Sequence, residues 1–187
     1  MISCCIFREQ ALGYPEDLVF FYAAARLKAR FVRCDEVLVI YRYHLASASF
    51  SVSERVIWEH RVREIENEVL KDPVWQSGFT IWSAGKQGKR FYRCLSTEFR
   101  GLVKAFCDVD SRKIAHGYYQ EYNNNTPGHT KDVRMKNQSN RRVPIVHFKD
   151  AHPPFIICVK MNLTNGQFEE NLASLNLVEG KDYYHFN

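Results

Sequence analysis

The chain has 187 residues, 45% of them hydrophobic and 25% charged, and carries a net charge of +5 from 26 lysines and arginines against 21 aspartates and glutamates. That balance supports a buried core and excludes a wholly disordered chain. No apolar run reaches the roughly 20 residues that span a bilayer, which argues against a membrane-spanning protein.

The start, Met1-Ile2-Ser3-Cys4-Cys5, has no basic region leading into a long apolar stretch, so the expected location is cytoplasmic. The six cysteines (Cys4, Cys5, Cys34, Cys94, Cys107, Cys158) form no CxxC and predict reduced, packing thiols.

Gly13-Tyr14-Pro15 is a turn signal, and the Glu16-Asp17 that follows it opens an apolar helix. Proline presets φ for a first helical position, and two carboxylates suit the positive end of the helix dipole. From Phe31 to Tyr43 the β-branched and aromatic content predicts a strand or hairpin. Ser51-Val52-Ser53-Glu54 can form a capping box, and Trp58, Val62, Ile65 and Val69 recur at helical spacing, which predicts a helix from Ser53 to Leu70 that Lys71-Asp72-Pro73 ends.

Beyond Gly78 the pattern becomes strand, glycine turn, helix, strand. Phe79-Thr80-Ile81-Trp82 leads into Ser83-Ala84-Gly85-Lys86-Gln87-Gly88, a helix through Leu95 and a strand over Leu102 to Phe106. Such a βαβ unit implies a parallel sheet. Val143 to Phe148, Phe155 to Val159 and Tyr183 to Phe186 add strands, and a helix is expected near Phe168 to Leu175. The expected fold class is α/β, with a small Rossmann-like domain over 74–187 and a polar, basic, mobile insertion at 122–142.

Three constellations suggest chemistry. Asp17 and Glu16 offer carboxylates at a helix start, where a sugar transferase needs a base for the acceptor hydroxyl; the same acids equally serve the helix dipole. Arg42 and His44, in Tyr41-Arg42-Tyr43-His44, suit a diphosphate or its metal. Ser83-x-Gly85-x-x-Gly88 is a GxGxxG turn with its first glycine replaced, and Asp108 follows where a ribose-binding acid belongs. A tight turn in a non-binding domain is the alternative. Lys86, Lys89, Arg90, Arg93, Arg100 and Lys104, with Lys131, Arg134, Lys136, Arg141 and Arg142, suit RNA phosphates or a solvated surface.

The order and spacing of Glu16-Asp17 and Tyr41-Arg42-Tyr43-His44 resemble the end of the catalytic domain of family 2 (GT-A type) glycosyltransferases. With Gly13 to Phe21, Ile81 to Gly88, Phe106 to Asp110 and Pro153 to Lys160, the resemblance extends from about Gly13 to Phe186. It narrows to the members that galactosylate queuosine in tRNA. It implies residues 1–73 as the C-terminal, acceptor-side part of a GT-A domain, with transfer of galactose from UDP-galactose to queuosine in the anticodon of cytoplasmic tRNA(Tyr).

It also implies a divalent ion, manganese or magnesium, with Asp17 as catalytic base and Glu16 beside it, Arg42 and His44 facing the donor diphosphate, and His44 at the metal. The family's donor-binding half, with its DxD, precedes the Glu-Asp pair, whereas few residues precede Glu16 here. Asp108-Val109-Asp110 falls after the pair and is not that DxD. The resemblance therefore implies a fragment or truncated form, inactive by itself, or a non-catalytic nucleotide- or RNA-binding module.

Overall fold

The computed structural model describes residues 13–40, 42, 44, 51–121, 141–162 and 164–186. The chain divides into two compact units, Met1–Asn67 and Glu68–Asn187, a few residues earlier than the composition shift near Pro73.

In the first unit, Gly13 adopts φ +95°, a left-handed turn that glycine enters without a Cβ penalty. The turn delivers Pro15 as the cap of helix α1, Glu16–Arg26, one residue earlier than its expected first helical position. Helix α2 spans Glu54–Glu68, and the Ser53 hydroxyl accepts from the Val56 N–H at 3.3 Å, so Ser53 rather than Ser51 caps it. The two helices are joined by Arg26 on Glu64, with Nη1 at 2.7 Å from both carboxylate oxygens, and by the Tyr14 ring edge-on to His60 at 5.1 Å.

The strand or hairpin expected over Phe31 to Tyr43 is not present in the described residues of that stretch. A strand needs a partner for its N–H and C=O groups, and residues 31–40 pair with nothing described. Val37 and Ile40 are 93% and 96% exposed, so side chains with strand propensity find no apolar surface here.

The second unit is an α/β layer around a six-stranded mixed sheet. Helix α2 ends at Glu68, and Asp72 starts the next element: its carboxylate accepts from the Val74 N–H and caps α3, Pro73–Gln76. Then come β1 (Phe79–Trp82), α4 (Lys86–Cys94), α5 (Thr97–Leu102), β2 (Val103–Asp108), α6 (Ser111–Ala115), β3 (Tyr118–Gln120), β4 (Arg142–His147), β5 (Phe155–Ile157), α7 (Gln167–Ala173) and β6 (Tyr183–His185). The sheet order is β3-β4-β2-β1-β5-β6. All neighbours are parallel except β3, which runs antiparallel to β4. The expected βαβ unit and parallel sheet are there; the edge strand β3 and the short helices α3, α5 and α6 were not foreseen.

Every residue of β1 is buried, as a central parallel strand covered on both faces requires. Its one polar side chain, Thr80, donates its hydroxyl to the His152 carbonyl at 3.0 Å. Trp82 stacks on Phe148 and meets Phe155 and Phe168, each at 5.4 Å between ring centres. The Phe91–Phe186 and Phe106–Tyr119 pairs are further ring contacts of this unit. Cys107 and Cys158 are buried free thiols in this core, while Cys34 and Cys94 are exposed. Most of the 122–142 stretch lies outside the described residues; its end, Arg141 and Arg142, leads into β4.

Burial holds the His60 imidazole below its ordinary value, and Arg63 lowers it further. The unfolded chain thus takes up a proton near pH ~6.5 that the folded chain accepts only at lower pH, so this contribution to stability is present above ~6.5 and lost on acidification. His60 should titrate below its random-coil value by NMR, and the urea midpoint of the wild type should fall more than that of His60→Phe between about pH 7 and 5.

Candidate functional site

Moving outward from β1 toward one edge the chain builds β2 and β4, and toward the other β5 and β6, so the strand order reverses between β1 and β5. In open α/β sheets the crevice outside the carboxyl ends of the strands at such a point is where ligands bind. A small open cleft of about 60 Å³ lies there, lined by Ser83 after β1, Asp108 and Val109 at the end of β2, Val159 after β5, and Gln167 and Asn171 on α7. Trp82 and Phe168, both almost wholly buried, form its apolar floor.

The turn from β1 to α4 makes one rim. Ser83 sits at φ +131°, which costs a non-glycine residue on the order of 1–3 kcal/mol, and it occupies the place of the missing first glycine. Its hydroxyl accepts from the Gly85 N–H at 3.2 Å and helps hold the turn. Gly88 is where α4 passes closest to the strand end, because a Cβ there would collide with the Ser83 carbonyl oxygen. Gly85 differs: it has a negative φ, and the nearest atom to an added Cβ is the Ser83 hydroxyl at 3.2 Å.

Asp108, 6% exposed, ties the rim together. Its Oδ2 accepts from the Ala84 N–H at 2.9 Å and the Lys113 ammonium at 2.8 Å. Its Oδ1 accepts from the N–H groups of Val109 at 2.9 Å and Asp110 at 3.0 Å. A carboxylate offers about four lone-pair sites, and the protein supplies a donor for each. Next to it, burial pushes the Cys107 thiol far up, which keeps that sulfur a protonated packing group. Asp110 caps α6 through the Arg112 N–H at 3.0 Å, and the Arg112 side chain holds its carboxyl below the usual range.

Gly85, Gly88 and Asp108 are therefore gathered into one turn. Glu16 and Asp17 are exposed at the start of α1, where Asp17 Oδ1 accepts from the Leu18 N–H at 2.7 Å. Arg42 and His44 are also exposed, and among the described residues no hydrogen bond or ion pair joins them to the acidic pair. No three His, Cys, Asp or Glu side chains converge among the described residues, so His44 has no described partners with which to complete a coordination shell.

Several of the bases counted toward RNA have internal partners. Arg100 donates to the carbonyls of Arg93 at 2.6 Å and Leu95 at 2.9 Å and pairs with Glu121 at 3.2 Å. Arg141 donates to the carbonyls of Arg100, Gly101 and Val103, satisfying the C-terminal end of α5. Arg142 lies over the Tyr118 ring at 4.5 Å. Lys131, Arg134 and Lys136 lie outside the described residues. Gln167, Asn171 and Lys113 went unrecognised in the sequence; the only signal was two amides one helical turn apart.

No family model matches the chain, and no solved structure matches it significantly.

Gly88→Ala should lower stability by about 1–3 kcal/mol through overpacking, whereas Gly85→Ala should cost less than about 1 kcal/mol, measured by urea unfolding. Asp108→Ala strands three buried or half-buried N–H donors and should cost on the order of 3 kcal/mol in the same measurement.

Proposed function

We propose that the chain is the acceptor-side part of a family 2 glycosyltransferase with an appended Rossmann-like domain. In this reading the complete enzyme transfers galactose from UDP-galactose to queuosine in the anticodon of cytoplasmic tRNA(Tyr). The observation that carries the proposal is the start of α1: Gly13 turns the chain, Pro15 caps the helix, and Glu16 and Asp17 project from its first turn into solvent. Neither acid is spent on an ion pair with another described residue, so both are open to an acceptor.

In this reaction the Asp17 carboxylate takes the proton from the acceptor hydroxyl as its oxygen attacks the anomeric carbon. The bond to UDP breaks, and the configuration inverts. Glu16 orients the acceptor, and Arg42 and His44 face the leaving diphosphate, which a manganese or magnesium ion neutralises when bound. Support for a larger catalytic domain comes from residues 31–40, whose exposed Val37-Leu38-Val39-Ile40 run has the composition of a strand that belongs in a sheet.

The strand order of the second unit, read without its antiparallel edge, follows the doubly wound pattern and supports the Rossmann-like reading. The same fold suits a second reading, a nucleotide- or RNA-binding module without catalysis of its own.

In the complete enzyme Asp17→Asn should reduce galactosyl transfer by about a thousandfold while leaving tRNA affinity within about twofold, measured by single-turnover transfer and filter binding. Retained turnover removes Asp17 as the base.

A further inference from the structure

Helix α4 distributes its charges against the preferences of a helix. Its nine residues carry four cations, Lys86, Lys89, Arg90 and Arg93, and no acid. Gly88, Phe91 and Tyr92 are its buried residues, and the helical period puts all four cations on the opposite face. Two like-charge pairs one turn apart result, Lys86 with Arg90 and Lys89 with Arg93, and such pairs destabilise a helix. Lys86 also stands in the first turn, at the positive end of the helix dipole, where an acid would be favoured.

Four other cations in this part of the chain are matched. Arg112 pairs with Asp110, Lys113 with Asp108 and Arg100 with Glu121, and Arg141 donates to three carbonyls. On α4, Lys86, Lys89 and Arg93 make no ion pair with a described residue; Lys89 lies over the Tyr119 ring, and Lys86 and Arg93 are exposed. The surplus is regional. From Lys86 to Lys149 the described residues include 11 lysines and arginines against four aspartates and glutamates, whereas Asp150 to Phe186 includes two against five.

Cations held together against their own repulsion suit a polyanion that neutralises several of them at once. Residues three and four apart on a helix stand ~5–6 Å from each other at their Cβ atoms, a spacing at which successive backbone phosphates can each meet one. The aromatic side chains of α4, Phe91 and Tyr92, are buried, so this helix can hold a backbone and offers bases no platform to stack on.

We infer that the outer face of α4 is where the second unit takes the phosphate backbone of a folded RNA, through Lys86, Lys89, Arg90 and Arg93 and without reading its sequence. The inference rests on the acceptor of the proposed transferase being an RNA, and it gives the second unit the task of holding that RNA.

The full 187-residue chain is titrated with three labelled RNA hairpins of unrelated stem sequence, by fluorescence anisotropy over a series of potassium chloride concentrations. Lys86→Gln with Arg93→Gln is compared with Lys160→Gln with Lys181→Gln, two exposed lysines in the acidic part of the unit. Both variants remove two positive charges, and glutamine keeps the helix propensity of lysine and arginine. The α4 variant should lose about tenfold or more in affinity for every hairpin, and the slope of log K against log salt should become shallower by about two. Its urea midpoint should hold or rise, because like-charge repulsion is relieved.

Equal losses in the two variants, a loss confined to one hairpin sequence, or a chain that binds heparin and no hairpin overturns the inference. A lowered urea midpoint in the α4 variant shows that the cations serve the fold and overturns it as well. Galactosyl transfer by the complete enzyme with hairpin binding indifferent to α4 would sink this inference alone; hairpin binding through α4 without transfer by the complete enzyme would sink the transferase reading alone.

Discussion

The second unit depends on one carboxylate. Asp108 ends β2, the strand beside β1, and its two oxygens collect donors from the turn after β1, from the chain after β2 and from Lys113 on α6. A buried carboxylate is tolerated only when its lone pairs are met, so these segments are held to one arrangement. With that rim held, Gly88 lets α4 lie against the end of β1, and the crevice at the reversal of strand order keeps its shape.

That constraint changes what the glycine turn can do. A GxGxxG-like turn with a following acid suggests an acid directed at ribose, yet here the acid serves the turn itself and the serine in place of the first glycine bears the positive φ. The neutral amides of Gln167 and Asn171, on a helix far along the chain, line the opposite rim of the cleft. The cleft between the two rims has an apolar floor in Trp82 and Phe168.

The first unit shows the opposite balance. Helices α1 and α2 are locally specified, by a left-handed glycine, a proline cap and a serine cap, and they meet through Arg26–Glu64 and Tyr14–His60. The segment beyond α1 has strand composition without strand structure, because a strand is a property of a pair and its partner is not among the described residues. Glu16, Asp17, Arg42 and His44 are exposed, and among the described residues no hydrogen bond or ion pair joins the two basic residues to the acidic pair.

By itself the sequence determined the local elements whose causes are local: the starts of α1 and α2, the buried run of β1, the glycine turn and the βαβ unit behind the parallel sheet. Tertiary structure alone decided the strand order, the antiparallel edge β3, the spending of Asp108, Arg100 and Arg141 on internal partners, and the meeting of α7 with the ends of β1, β2 and β5. The physical reason is range. Caps, turns and periodicity act over a few residues and are written in neighbouring letters, whereas partners such as Ala84 for Asp108 and Val103 for Arg141, 24 and 38 positions away, are chosen by packing.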